Sequence, residues 1–195
     1  MDRVSFTDFY DSLERCPIIA AANNDELLDR AKQSSCEIVY LLYGNICNVP
    51  DLVRDIHRAG KTAIVHADLI DGLDSREISV DYLTRKAGAD GIISIKPHLI
   101  KRGNELHTIT IQRFFMLDRL FYQNIKRYVR ETSPDMVELL PAGLTKMIRY
   151  AVSELNGKPL IASGLVLDKE DVVGALSAGA LAVSTTNTEV WSEME

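Results

Sequence analysis

Eight short apolar runs alternate with amphipathic stretches along this chain, and that alternation leaves few folds open. The runs are PIIAA (17–21), EIVYLL (37–42), TAIVH (62–66), GIISI (91–95), TITIQR (108–113), MVELL (136–140), PLIA (159–162) and LAVST (181–185). They are rich in Ile, Val and Leu and mostly lack polar alternation, as expected of strands buried on both faces in a parallel sheet. The stretches between them have helical period. Leu144, Met147, Ile148, Ala151, Val152 and Leu155 share one face, and Leu117, Leu120, Phe121, Ile125, Tyr128 and Val129 nearly do. Asn23 before Glu26, Asp74 before Glu77 and Asp168 before Asp171 have the spacing of a capping box, and Pro50 suits a first helical turn. Gly60, Gly88 and Gly179 each follow Ala and precede an apolar run, a repeated stop signal.

Eight strand–helix units predict a compact (β/α)8 TIM-type barrel, one domain over residues 1–195, with an open doubly wound sheet as the alternative. The count of eight favours the barrel, as does the absence of GxGxxG after the first run. The segment PHLIKRGNELH is short for a helix with two loops, which predicts a shortened fourth helix. A mass of 21.8 kDa implies a folded surface of about 9,000 Å2 and an ample core. No apolar run approaches the ~18–20 residues of a membrane span, and the charged N-terminus lacks a secretory h-region. Cys16, Cys36 and Cys47 are odd in number and scattered, so a reducing cytoplasm is expected rather than a disulfide framework. Phe6, Phe9, Tyr10 and Trp191 are expected on the barrel bottom or against a partner, which leaves a homo-oligomer open.

Barrels of this kind bind ligands at the C-terminal ends of their strands. There the sequence places His66 and Asp68 after the third run, Lys96 after the fourth, Arg113 at the fifth and Glu138 on the sixth. The seventh ends in Ser163-Gly164 and the eighth in Ser184-Thr185-Thr186-Asn187. Glycine lets a backbone approach an anion closely, hydroxyls donate to it, and the last two loops are the usual phosphate site. A phosphate is therefore expected at Ser163, Gly164, Ser184 and Thr185, with Arg113 or Lys96 as cation. The plainer alternative is that the Ser/Thr/Asn cluster only caps the last helix. His66, Asp68, Lys96 and Glu138 have the chemistry for acid–base work, and Lys96 for a Schiff base. Equally, Lys96 could be a charge partner and His66 a satisfied half-buried histidine. No spacing supports a metal site.

The net charge of −6 argues against nucleic acid, but it is unevenly spread. Residues 96–130 hold eight bases (Lys96, Lys101, Arg102, Arg113, Arg119, Lys126, Arg127, Arg130) against Glu105 and Asp118, a net +6. The remaining 14 bases and 26 acids sum to −12. A basic sector around the fourth and fifth units could meet a phosphate backbone, with His98, His107 and Tyr122 against bases. The alternative is a solvated helix face.

The series HADLIDGL (66–73), IISIKPHLIKRG (92–103), TIQRFFMLD (110–118), VELLPAG (137–143), LIASGL (160–165) and VSTTNTEVW (183–191), with CPIIAA near the start, resembles the glycerol uptake operon antiterminator regulatory proteins over nearly the whole chain. Ser163 and Ala142 stand where that family is expected to carry a Gly-Gly pair and a shorter Pro-Gly turn. The resemblance implies a barrel with a regulatory role and neither catalysis nor cofactor. It implies glycerol 3-phosphate as effector and the leader mRNA of a glycerol operon as partner, bound to prevent a terminator hairpin. On that view the mouth residues hold the effector, while Lys101, Arg102, Arg119, Lys126, Arg127 and Arg130 face RNA. An aldolase- or isomerase-type enzyme acting on a small phosphorylated substrate is the alternative.

Overall fold

The computed structural model describes residues 4–116 and 118–192, with the backbone alone at 119–122. Leu117, the predicted helix-face side chains of Leu120 and Phe121, and the predicted RNA contacts of Arg119 and Tyr122 lie outside the described residues.

Eight parallel strands close in sequence order: β1 (Ile18–Ala22), β2 (Ile38–Leu41), β3 (Thr62–His66), β4 (Gly91–Ser94), β5 (Ile109–Phe115), β6 (Met136–Leu140), β7 (Leu160–Ser163) and β8 (Ala182–Thr185). β8 returns to pair with β1, so the sheet has no edge and the open alternative is excluded. The helices are α1 (Phe6–Arg15), α2 (Asp25–Gln33), α3 (Val49–Arg58), α4 (Glu77–Arg85), α5 (Pro97–Glu105), α6 (Arg119–Thr132), α7 (Thr145–Glu154), α8 (Lys169–Ser177) and α9 (Thr188–Ser192). The surface is 9,318 Å2, close to what the mass implies, so the core closes within one chain.

The fourth connecting helix is not shortened. α5 has nine residues, as many as α2, α4 and α8. The loops are what is short: Pro97 starts the helix immediately after Lys96, and Thr108 already hydrogen-bonds back to Gly103. Gly103 permits this, because a Cβ there would lie 2.6 Å from Thr110 Cγ2 and 3.2 Å from Ile92 Cδ1. Only a glycine lets α5 lie this close to the sheet.

The cap signals were legible to within a residue or two. Asp168 caps α8 through Asp171 N, but α2 is capped by Asn24, not Asn23, through Leu27 N. Arg76, not Asp74, occupies the N-cap position of α4; Asp74 accepts from Arg76 N and Ser79 Oγ, bracing the turn instead. Gly60, Gly88 and Gly179 all have positive φ, as helix-stop glycines should.

α1 is the element that the strand–helix count leaves out. Its Phe9 and Leu13 are fully buried and belong to the lumen cluster, closing the lower end of the barrel. Phe6 is 40% exposed beside them, and Trp191 instead packs outside the barrel, with Nε1 donating to Thr185 O.

Candidate functional site

Side chains alternate across each strand, so one parity of residues fills the lumen. Ile19, Ile38, Tyr40, Ile64, Ile93, Ile111, Met136 and Ile161 form that inner cluster, while Ile18, Val39, Val65, Ile92, Val137 and Leu160 pack outward in the cluster shared with the helices. Strand register stacks the inward positions into layers of four from alternate strands. Ile19, Ile64, Ile111 and Ile161 make an all-isoleucine layer. Above it lie Tyr40, Ile93, Glu138 and Ser184, then Ala21, His66, Arg113 and Ser163. The lumen thus changes from apolar to polar at the C-terminal ends of the strands.

A cavity of about 340 Å3 opens there, walled by Ala21, Leu42, Arg113, Leu140, Ser163, Gly164, Leu165, Val166, Leu167, Ser184, Thr185 and Thr186. Ser163, Gly164, Ser184, Thr185 and Arg113 therefore come together. Gly164 has φ +72°, and the next residue, Leu165, is left-handed too, at +55°. A side chain on Gly164 would put its Cβ 3.2 Å from Cδ2 of Leu140, another wall residue of the cavity. The glycine serves the turn of the loop before it serves any ligand. The capping role also holds at β8: Thr185 Oγ1 accepts from Asn187 N, and Asn187 Oδ1 accepts from Glu189 N.

Glu138 is fully buried and accepts a hydrogen bond from Arg113 Nε across β5 and β6. Its second oxygen has no partner, nor do Tyr40 Oη, His66 Nδ1 or Ser163 Oγ. His66 is held down to about 4 by burial, then by the positive charge of Arg113 and, more weakly, Lys96; Asp68 opposes them. It is therefore neutral at neutral pH.

His66 Nδ1 lies 3.6 Å from Asp68 Oδ2, too far for a hydrogen bond, so this nitrogen is unsatisfied. Lys96, by contrast, is well served: Nζ lies 3.1 Å from Asp68 Oδ1 and donates to Ser75 Oγ. Asp68 Oδ2 accepts from Ser94 Oγ at 2.9 Å and Ile95 N at 3.0 Å, tying the loop after β3 to the end of β4. Lys96, Asp68 and Ser94 thus brace the rim. Tyr40 was missed, because a tyrosine inside the apolar run EIVYLL looks like core; its parity with Ile38 and its height in the barrel were the available signals.

The basic sector is less charged in space than along the chain. Arg102 grips Asp81 with two hydrogen bonds of 2.8 Å and Glu105 with a third of 2.7 Å. Lys126 lies 3.5 Å from Glu154, and Arg127 lies 3.8 Å from Glu131 and 5.3 Å over the Tyr128 ring. Asp81, Glu131 and Glu154 all fall outside the 96–130 window. Lys101 and Arg130 are exposed, and among the described residues no acid lies within ion-pair distance of either. Among the described residues no group of three His, Cys, Asp or Glu could hold a metal, and no helix is long and apolar enough to cross a membrane.

The fold and its polar mouth define a (β/α)8 barrel with a small-molecule-sized cavity at the strand ends. Residues 18–191 match the model of the glycerol-3-phosphate responsive antiterminators, and the chain belongs to that family. It is 38% identical over 180 residues to the uncharacterized protein YgcP of Escherichia coli K12, covering 92% of this chain and 94% of that one. It is similar to the crystal structure of the glycerol uptake operon antiterminator regulatory protein of Listeria monocytogenes, with a TM-score of 0.86, 30% identity and coverage of 90% and 95%. An antiterminator-related protein of Thermotoga maritima matches with a TM-score of 0.78 and 29% identity over 89% of this chain and 96% of that one.

Proposed function

We propose that this protein senses glycerol 3-phosphate at the barrel mouth and, when occupied, binds the leader mRNA of glycerol-uptake genes in the cytoplasm, preventing a terminator hairpin. The carrying observation is the cavity in which Arg113 meets Ser163, Gly164, Ser184 and Thr185, in a member of a glycerol-3-phosphate responsive family. The phosphate lies against the β7 and β8 ends, and the glycerol hydroxyls reach toward His66 and Glu138. Asp68 and Lys96 hold the rim in place. RNA meets the α5–α6 flank, where Lys101 and Arg130 are its first contacts, and Lys126, Arg127 and Arg102 can join by exchanging acid partners for phosphates.

The enzyme reading rests on Lys96, a lysine at the end of β4 with Schiff-base chemistry. Its ammonium is engaged by Asp68 and Ser75, which suits a brace and not a nucleophile that must be deprotonated. Borohydride trapping of a carbonyl substrate on Lys96 would reverse this assignment.

The deciding experiment is leader-RNA affinity with and without glycerol 3-phosphate, over a range of salt. The effector should tighten RNA binding, and RNA should tighten effector binding by the same factor. Affinity that ignores the effector would end the regulatory reading.

A further inference from the structure

The unpartnered atoms at the mouth are not interchangeable, and their chemistry says what kind of ligand they can accept. Tyr40 Oη, His66 Nδ1, Glu138 Oε1 and Ser163 Oγ are buried and unsatisfied, and all lie in the top two layers of the lumen. Ser184, in the wall of the cavity, belongs to the same layer as Tyr40 and Glu138, which are fully buried and not themselves in that wall. Proteins rarely leave buried polar atoms unpaired, and such a cluster is completed by water or by a ligand seated in it.

Glu138 fixes the polarity of that ligand. Its Oε2 accepts from the Arg113 guanidinium, and a carboxylate paired with a guanidinium offers acceptors only. The free Oε1 therefore demands a hydrogen-bond donor. Tyr40 Oη, with no partner of its own, can donate to the oxygen of the same group. A secondary alcohol satisfies both at once, because its hydroxyl gives one hydrogen and receives another. A ketone has no hydrogen to give and sets its lone pairs against Glu138.

We propose that Glu138 and Tyr40 make the mouth read the oxidation level of a three-carbon phosphate, admitting the alcohol and rejecting the ketone. The inference rests on the effector reading above, since the phosphate must sit at the β7 and β8 ends for the carbon chain to reach toward their layer. It places the protein on the substrate side of the alcohol-to-ketone oxidation, blind to the product.

Calorimetric titration of the full chain with sn-glycerol 3-phosphate, dihydroxyacetone phosphate and inorganic phosphate tests this. The alcohol should bind about tenfold to hundredfold more tightly than the ketone, the span expected when a buried acceptor is left unpaired. Tyr40→Phe should weaken both esters, because either oxygen accepts from the tyrosine hydroxyl, and should leave the preference set by Glu138 in place. Glu138→Gln, whose amide can donate to a carbonyl, should move the preference toward the ketone. If loss of the Arg113 pair unfolds Glu138→Gln, the comparison of alcohol with ketone in the wild type decides alone. Equal affinities in the wild type, or a Tyr40→Phe variant that binds the alcohol as tightly as the wild type, would overturn the proposal and leave the effector reading standing. No binding of either ester would overturn both.

Discussion

The barrel mouth and the α5–α6 flank both drew attention as charged regions, yet they treat charge in opposite ways. At the mouth the ionic groups are buried, and several polar atoms have no partner: Glu138 is sealed in the lumen with one oxygen bonded and one unmet. On the flank Arg102 and Lys126 meet acids of neighbouring helices, Asp81 and Glu154, Arg127 lies near Glu131 of its own helix, and Lys101 and Arg130 are exposed. Charge density along a sequence window overstated the free charge of the flank, whereas unmet hydrogen bonding marks the mouth, because desolvation makes an unpaired group costly inside and nearly free outside.

That contrast can be broken by substitution. The largest effect is expected at Arg113→Ala, which strands Glu138 as an unpaired buried charge and should destabilise the protein by about 3–5 kcal/mol in urea unfolding. A cost near that of a surface change would mean that water reaches the pair.

Next comes pH. Folded His66 titrates near 4 against an ordinary value of 6.5, so the unfolded chain takes up its proton first. The stability tied to neutral His66 is fully present above about pH 6.5 and is lost as pH falls toward 4, by up to about 3 kcal/mol. His66→Gln should flatten that slope between about pH 6.5 and 5, above the range of most carboxylates. An identical slope in the variant would place the titration elsewhere.

Tyr40→Phe should act in the opposite sense and stabilise the ligand-free protein by about 1 kcal/mol, because it removes a buried hydroxyl with no partner. A loss of stability would show that the hydroxyl is satisfied in solution. The smallest effect on folding belongs to the flank. Lys126→Glu with Arg127→Glu should shift stability by no more than about 0.5 kcal/mol. The same pair should weaken RNA binding about tenfold and flatten its salt dependence while sparing effector affinity. If RNA binding is untouched, the RNA lies on another face.

The barrel was legible because its instruction is local. Two-sided burial makes each strand a continuous apolar run, and helix-stop glycines punctuate the return, so all eight strands fell within a residue or two of their runs. The predicted mouth residues were found by the same logic, since strand ends are visible in sequence. What stayed hidden was anything set by neighbours across the barrel. Tyr40 looks like core until closure places it level with Glu138. Gly164 looks like an anion cradle alone until its φ of +72° shows that the turn of the loop needs a glycine as well. Residues 96–130 look strongly basic until Asp81, Glu131 and Glu154 arrive from outside the window. The sequence alone determined which elements form and which ends carry polar groups, because period and propensity act over a few residues. Only the tertiary structure decided which polar groups are paired and which are left for a ligand, because hydrogen bonds and ion pairs depend on distances between strands that closure alone sets.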